Sequence, residues 1–193
     1  MRRIRLALAL ALVPLVAALS GCGLRGSSIP LCPREDRNLA VLILEAQAVP
    51  SAAYVPCIED VPAGWRFAGE HIHNGRAEFW MDSDRAGFRA LTVLLTSRCD
   101  TSKAVEVPPE PGEPSMRQFE EPTALPPTFS GNRYYVFPGG CVTYRFSFAP
   151  GATFGEAVQV TEALSFAVRA EGVAALAEEG LILCGRGAPR CLG

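Results

Sequence analysis

The chain has 193 residues, 18 basic and 20 acidic side chains, and a formal net charge of -2. Its first 21 residues hold three arginines and no acid, so the remainder carries 15 basic against 20 acidic groups, a net charge of about -5. That balance gives no support for nucleic acid or an anionic surface as a partner, and the length suits one domain with a real core.

The chain opens Met1-Arg2-Arg3-Ile4-Arg5 and then runs apolar from Leu6 to Leu19, interrupted by Pro14. About 14 apolar residues are too few to cross a bilayer as a helix, which needs about 20. A basic start followed by a short apolar run reads instead as a secretory signal peptide over residues 1–21. Leu19-Ser20-Gly21-Cys22, an aliphatic residue and two small ones before a cysteine, resembles the lipobox of bacterial prolipoproteins. The resemblance implies cleavage before Cys22, a diacylglyceryl group on its thiol, and a protein of the bacterial envelope. Palmitate-type chains on Cys22 would hold the protein at the outer, extracytoplasmic face of the cell membrane, because two acyl chains anchor stably where one does not. Residues 22–30 are then the lipidated cysteine and a tether, with "GLRGSSIP" spanning at most about 26 Å. Beyond this segment the chain looks like an uncharacterised envelope lipoprotein of high-GC bacteria, with Arg, Ala, Gly and Pro abundant and Lys103 the single lysine.

Residues 31–193 read as a single α+β domain. A helix is expected from Arg37 to Ala48, preceded by Glu35-Asp36 and stopped by Pro50. From Trp65 the pattern changes to strands. Asn74-Gly75 signals a hairpin, in which His73 faces Arg76, Ile72 faces Ala77, His71 faces Glu78 and Glu70 faces Phe79. One face should bury Ala68, Ile72, Ala77, Phe79 and Met81, and the other carries both histidines. "DSDRAG" turns the chain into a strand from about Phe88 to Thr96. "VEVPPEPGEP" reads as an extended polar loop and "TALPPT" as a second interruption.

A second hairpin is expected from Arg133 to Phe137 and Cys141 to Phe148. With Gly139-Gly140 as its loop, Tyr135 faces Tyr144 and Phe137 faces Val142. Thr153-Phe154-Gly155-Glu156 has the form of a capping box, with Phe154, Val158, Val160, Leu164 and Ala167 following at near-helical spacing. Gly172 should interrupt that helix and Gly180 end the next one. Leu181-Ile182-Leu183 then reads as a short buried strand. Strands followed by helices favour an antiparallel sheet built from hairpins, with helices on one or both faces.

Seven cysteines become six once Cys22 carries lipid, an even number in an oxidising compartment. Spacing alone does not select among the possible pairings. The expected set is Cys32 with Cys57, Cys99 with Cys141, and Cys184 with Cys191. No Cys-x-x-Cys motif points to a redox or metal role.

Sites for chemistry are sparse. His71 and His73 alternate on one strand, and Glu78 opposite them completes a two-His, one-carboxylate set of the kind that binds zinc. The competing reading of those residues is a polar outer sheet face. Asp82-Ser83-Asp84-Arg85-Ala86-Gly87 starts like a calcium loop, but Ala86 and Val93 occupy positions that need oxygen ligands, so it reads as a turn. No nucleophile elbow and no phosphate loop occur, and no cofactor is implied. The expectation is a non-enzymatic binding or accessory domain, tied to the membrane by lipid, whose partner is another envelope protein or a small apolar ligand. A metal-binding protein or hydrolase using His71, His73 and Glu78 is the alternative.

Overall fold

The structure, a computed structural model, describes residues 29–34, 39–109, 116–124 and 129–187. The expected signal peptide, Cys22 and the expected tether as far as residue 28 lie outside the described residues, as do residues 35–38 with the expected acidic helix start. The described residues form nine strands and three helices. The fold is α+β, predominantly antiparallel sheet.

Helix α1 (Ala40–Ala48) buries Val41, Leu42, Glu45, Ala46 and Ala48. Pro50 follows at once and brings no N–H to continue the ladder. Strand β1 (Tyr54–Ile58) comes next, then the first hairpin, β2 (Trp65–His73) with β3 (Arg76–Ser83). All four expected cross-strand pairs are present, from His73 with Arg76 to Glu70 with Phe79. Farther from the turn the alternation slips, because a bulge lies between Phe67 and Gly69. Phe67 packs against the core in place of Ala68, which is exposed. Gly69 permits this: a Cβ there would fall 2.6 Å from the Trp80 ring.

Strand β4 (Gly87–Thr96) follows the "DSDRAG" turn as expected, and the Ser83 hydroxyl accepts the Arg85 and Ala86 amides within that turn. The proline-rich stretches hold more sheet than their composition suggests. Strand β5 (Val105–Val107) pairs with β6 (Arg117–Ala124), and β6 pairs with β7 (Ser130–Phe137). Pro122 is accommodated where the β6–β7 register shifts, the place where a missing N–H costs a ladder little. Strand β8 (Gly140–Ser147) completes the second hairpin, with a turn at Pro138-Gly139 in place of Gly139-Gly140. Proline followed by a glycine at φ +78° suits a tight two-residue turn. Tyr135 therefore faces Val142 and Phe137 faces Gly140. Tyr135 and Tyr144 still meet, diagonally, with ring centroids 4.9 Å apart.

The expected long helix after Thr153 is two helices around a strand. Helix α2 (Phe154–Glu162) ends at Ala163, β9 (Leu164–Val168) pairs antiparallel with β1, and α3 (Arg169–Glu178) runs through Gly172 without a break. Thr153 is the N-cap residue but makes no side-chain cap bond, and Glu156 instead lies 3.4 Å from Arg85. Gly180 does end α3: its N–H donates to Ala177 O and that of Leu181 to Leu176 O, the paired bonds of a Schellman stop. Leu181 and Ile182 form no strand and are exposed, and only Leu183 is buried.

The large sheet is seven-stranded, ordered β2-β3-β4-β8-β7-β6-β5, and β1-β9 forms a second sheet. The small sheet lies over the large one through Phe166, whose ring stands 5.0 Å from Tyr135 and stacks at 6.3 Å on Tyr144. Phe79, Met81, Leu91, Val93, Leu95, Val142 and Tyr144 form the centre of this core. Disulfide Cys32–Cys57 fastens the N-terminal segment to β1, and Cys99–Cys141 fastens the segment after β4 to β8. Cys184 is also disulfide-bonded, while its expected partner Cys191 lies outside the described residues.

Candidate functional site

The outward face of β2 and β3 carries the residues singled out for metal. Register puts His71 opposite Glu78 and His73 opposite Arg76. The His71 and His73 rings lie 5.1 Å apart, and His73 Nδ1 stands 3.2 Å from Asn74 O. The strand alternation thus gathers all three proposed ligands on one exposed face. Glu78 and His73 are already engaged otherwise. Glu78 Oε2 accepts from Arg76 Nη2 at 2.6 Å, and Oε1 stands 3.9 Å from His71 Nδ1. Zinc would require these ligands to converge at about 2.0–2.2 Å on one point. Among the described residues no three His, Cys, Asp or Glu side chains are grouped to hold a metal ion.

A second candidate lies between α2 and the β6–β7–β8 part of the large sheet. A cavity of about 330 Å³ is bounded there by Phe129, Phe146, Phe154, Ala157 and Val158, with Glu120, Asn132 and Arg133 at its polar side. Positions 154, 157, 158 and 161 recur at helical spacing, so α2 turns one stripe toward the cavity. Glu156, Ala157 and Val160 are the buried positions that seat the helix. Phe154 remains 54% exposed and Val158 42% exposed although both line the cavity, so the apolar wall is open to solvent. Phe129 connects the wall to the core, with ring centroids 5.4 Å from Phe154 and 5.8 Å from Phe146.

The polar side is fixed by cross-strand pairing. Arg133 lies opposite Glu120, with Nη2 to Oε1 at 2.7 Å. Glu121, which also lines the cavity, accepts through Oε2 from Tyr134 at 2.7 Å and from Asn132 at 3.0 Å. These bonds hold the Glu121 carboxyl below its ordinary range. Burial first, and that same bond second, push the Tyr134 phenol up to about 12. Strands β6 and β7 are thereby locked in register beneath the cavity.

The aromatic cluster of the second hairpin is not a surface. Tyr135, Phe137, Tyr144, Phe146 and Phe148 are in the main core, and Tyr134 is buried on the other face with Phe119 and Cys141. The cavity residues Glu120, Phe129, Arg133 and Thr161 carried no signal of their own in the sequence. Only Phe154 and Val158 stood out there, and as core positions of a longer helix.

No family model matches the chain, and no curated protein matches it. A crystal structure from Bacteroides thetaiotaomicron is similar at 13% identity and a TM-score of 0.34, covering 64% of this chain and 47% of that one. The chain spans about half the length of that protein, and a likeness this distant carries no argument. Among the described residues no helix is long and apolar enough to cross a membrane.

Proposed function

We propose that the protein is a lipid-anchored envelope domain that binds a small, largely apolar ligand in the cavity beside α2 and performs no chemistry on it. The observation that carries this reading is the wall of Phe129, Phe146, Phe154, Ala157 and Val158 around about 330 Å³, with the Arg133–Glu120 pair as its main polar feature. Ligand pockets are commonly of about this size, mostly apolar, with a few fixed polar groups. The lipobox-like Leu19-Ser20-Gly21-Cys22 supports anchoring at the outer face of the cell membrane.

Titration with the neutral fluorophore N-phenyl-1-naphthylamine tests the cavity. Saturable binding at one site is expected, weakened at least about tenfold by Val158→Glu, which puts a charge in the apolar wall. Binding that does not saturate, or that ignores Val158→Glu, sinks the reading. The metal alternative is tested by elemental analysis of protein purified without added metal. Stoichiometric zinc lost on His71→Ala would replace the binding reading with a metal site whose Glu78 must first leave Arg76.

A further inference from the structure

One end of the large sheet is built unlike the other. The β3–β4 connection, the loop from Glu59 to Gly64 and the loop from Phe148 to Thr153 meet there, joined by Asp84 N–H donating to Gly64 O and Ala149 N–H donating to Ala86 O. Where β4 begins, Ser83 pairs with Gly87 but Met81 pairs with Leu91, so β4 carries extra residues that β3 does not match. Arg89, in that excess, has φ +45°, the one positive value at a non-glycine residue among those described. The buried Asp82 side chain holds it there, accepting the Arg89 N–H at 2.8 Å while also pairing with Arg66. The result is Phe88, 83% exposed, the most exposed large apolar side chain described. Bulges commonly re-aim a side chain, and left-handed backbone at a non-glycine residue persists only where its surroundings enforce it.

Phe88 is not alone. Val61 and Phe154 are exposed on the same tip, with Pro150 between them in sequence. Arg66 lies 5.8 Å over the Phe88 ring, and Arg89 lies 4.1 Å over Trp80. Formal charge is nearly balanced. Arg34, Arg66, Arg85 and Arg89 stand against Glu59, Asp60, Asp82, Asp84 and Glu156, most of them in mutual ion pairs. Such a tip gives an apolar contact no strong charge of either sign.

The route of the chain says what meets it. The described chain begins beside Ile58, whose N–H donates to Pro30 O and whose carbonyl accepts the Cys32 N–H. Ile58 is the end of β1, and the next residues are the tip loop itself. With Cys22 at most about 26 Å upstream, an anchored chain enters the domain from this end.

We infer that this tip, led by Phe88 with Val61 and Phe154, seats on the lipid bilayer and orients the domain with the cavity mouth near the membrane surface. Aromatic side chains favour the interfacial region, and arginines beside them extend their charge into the headgroups. The inference rests on the anchoring reading, and its test separates the two. The mature protein, with intact mass reporting the state of Cys22, is placed in phosphatidylcholine vesicles with and without brominated acyl chains. Phe88→Trp, at a position too exposed to disturb packing, is expected to be quenched at least about twofold more than the unaltered protein. Asn74→Trp, in the turn at the opposite end of the sheet, should gain no quenching. Absent quenching at position 88, or equal quenching at both ends, in protein bearing the diacyl mass overturns the docking and leaves the anchor standing. A mass without the diacyl group overturns the anchor and this inference together.

Discussion

The two faces of the seven-stranded sheet are held by different means. The inner face is covered by α1, the β1-β9 ribbon and α2, and it buries Phe79, Met81, Leu91, Leu95 and Tyr144 almost completely. The outer face has a small cluster of Phe119, Tyr134 and Cys141, packed under Cys99 and Ala104, and elsewhere shows histidines and ion pairs. One face is stabilised by area removed from water, the other by a covalent staple and cross-strand pairs. Strand alternation sends Tyr134 and Tyr135, adjacent in sequence, to opposite faces and so to separate clusters.

The largest expected effect breaks the inner face. Phe79→Ala should cost about 3–5 kcal/mol, measured by urea unfolding, because the cavity left behind is enclosed on every side. Next, replacing Cys99 and Cys141 together by serine should cost about 2–4 kcal/mol, and protease should then cut first after Thr96 and not in α1. A smaller effect of opposite sign should come from Glu45. Its carboxyl is buried in α1 with neither oxygen hydrogen-bonded, and burial, then the neighbouring Glu70, raises its pKa well above the ordinary value. The folded state therefore holds this proton more tightly than the unfolded state does. Its contribution to stability is fully present below about pH 4.5 and is lost as pH rises from there through the folded value. Glu45→Met should stabilise by about 1–3 kcal/mol near neutral pH and flatten that fall, read from urea midpoints across a pH series. The smallest effect belongs to the outer face. Arg76→Ala, which releases a partly exposed Glu78, should change stability by no more than about 1 kcal/mol.

The β2–β3 hairpin was legible pair by pair because its turn and its alternation point to the same register. Legibility failed where a distant partner decided the outcome. Leu164 to Val168 continues a helical spacing from Phe154, yet it pairs with β1 more than a hundred residues earlier and becomes a strand. Val105 and Arg117 begin strands that prolines seemed to forbid, because the prolines fall at the strand ends or at a register shift. The second hairpin turns one position earlier than expected, since both Pro138-Gly139 and Gly139-Gly140 are acceptable loops and nothing local separates them. Neither wall of the cavity is visible locally, because residues 120–122, 129–133 and 154–161 meet only in the folded chain. The histidine face, by contrast, was placed correctly by alternation alone; what alternation does not show is that Arg76 occupies Glu78.

Arg169 is 2% exposed and donates both terminal nitrogens to backbone oxygens, one at Ala46 and one at Cys184. It thereby joins the first helix to the last segment, beside the β1-β9 pairing that joins the first strand to the last. The hairpins between them pair near neighbours and can assemble while later residues are still emerging, since local contacts close fastest. Strand β1, whose ladder partner is β9, has no such option. Though early in the chain, it is among the last to find its place, and until Leu164–Val168 have followed it the β1 edge is open backbone that another strand can pair with.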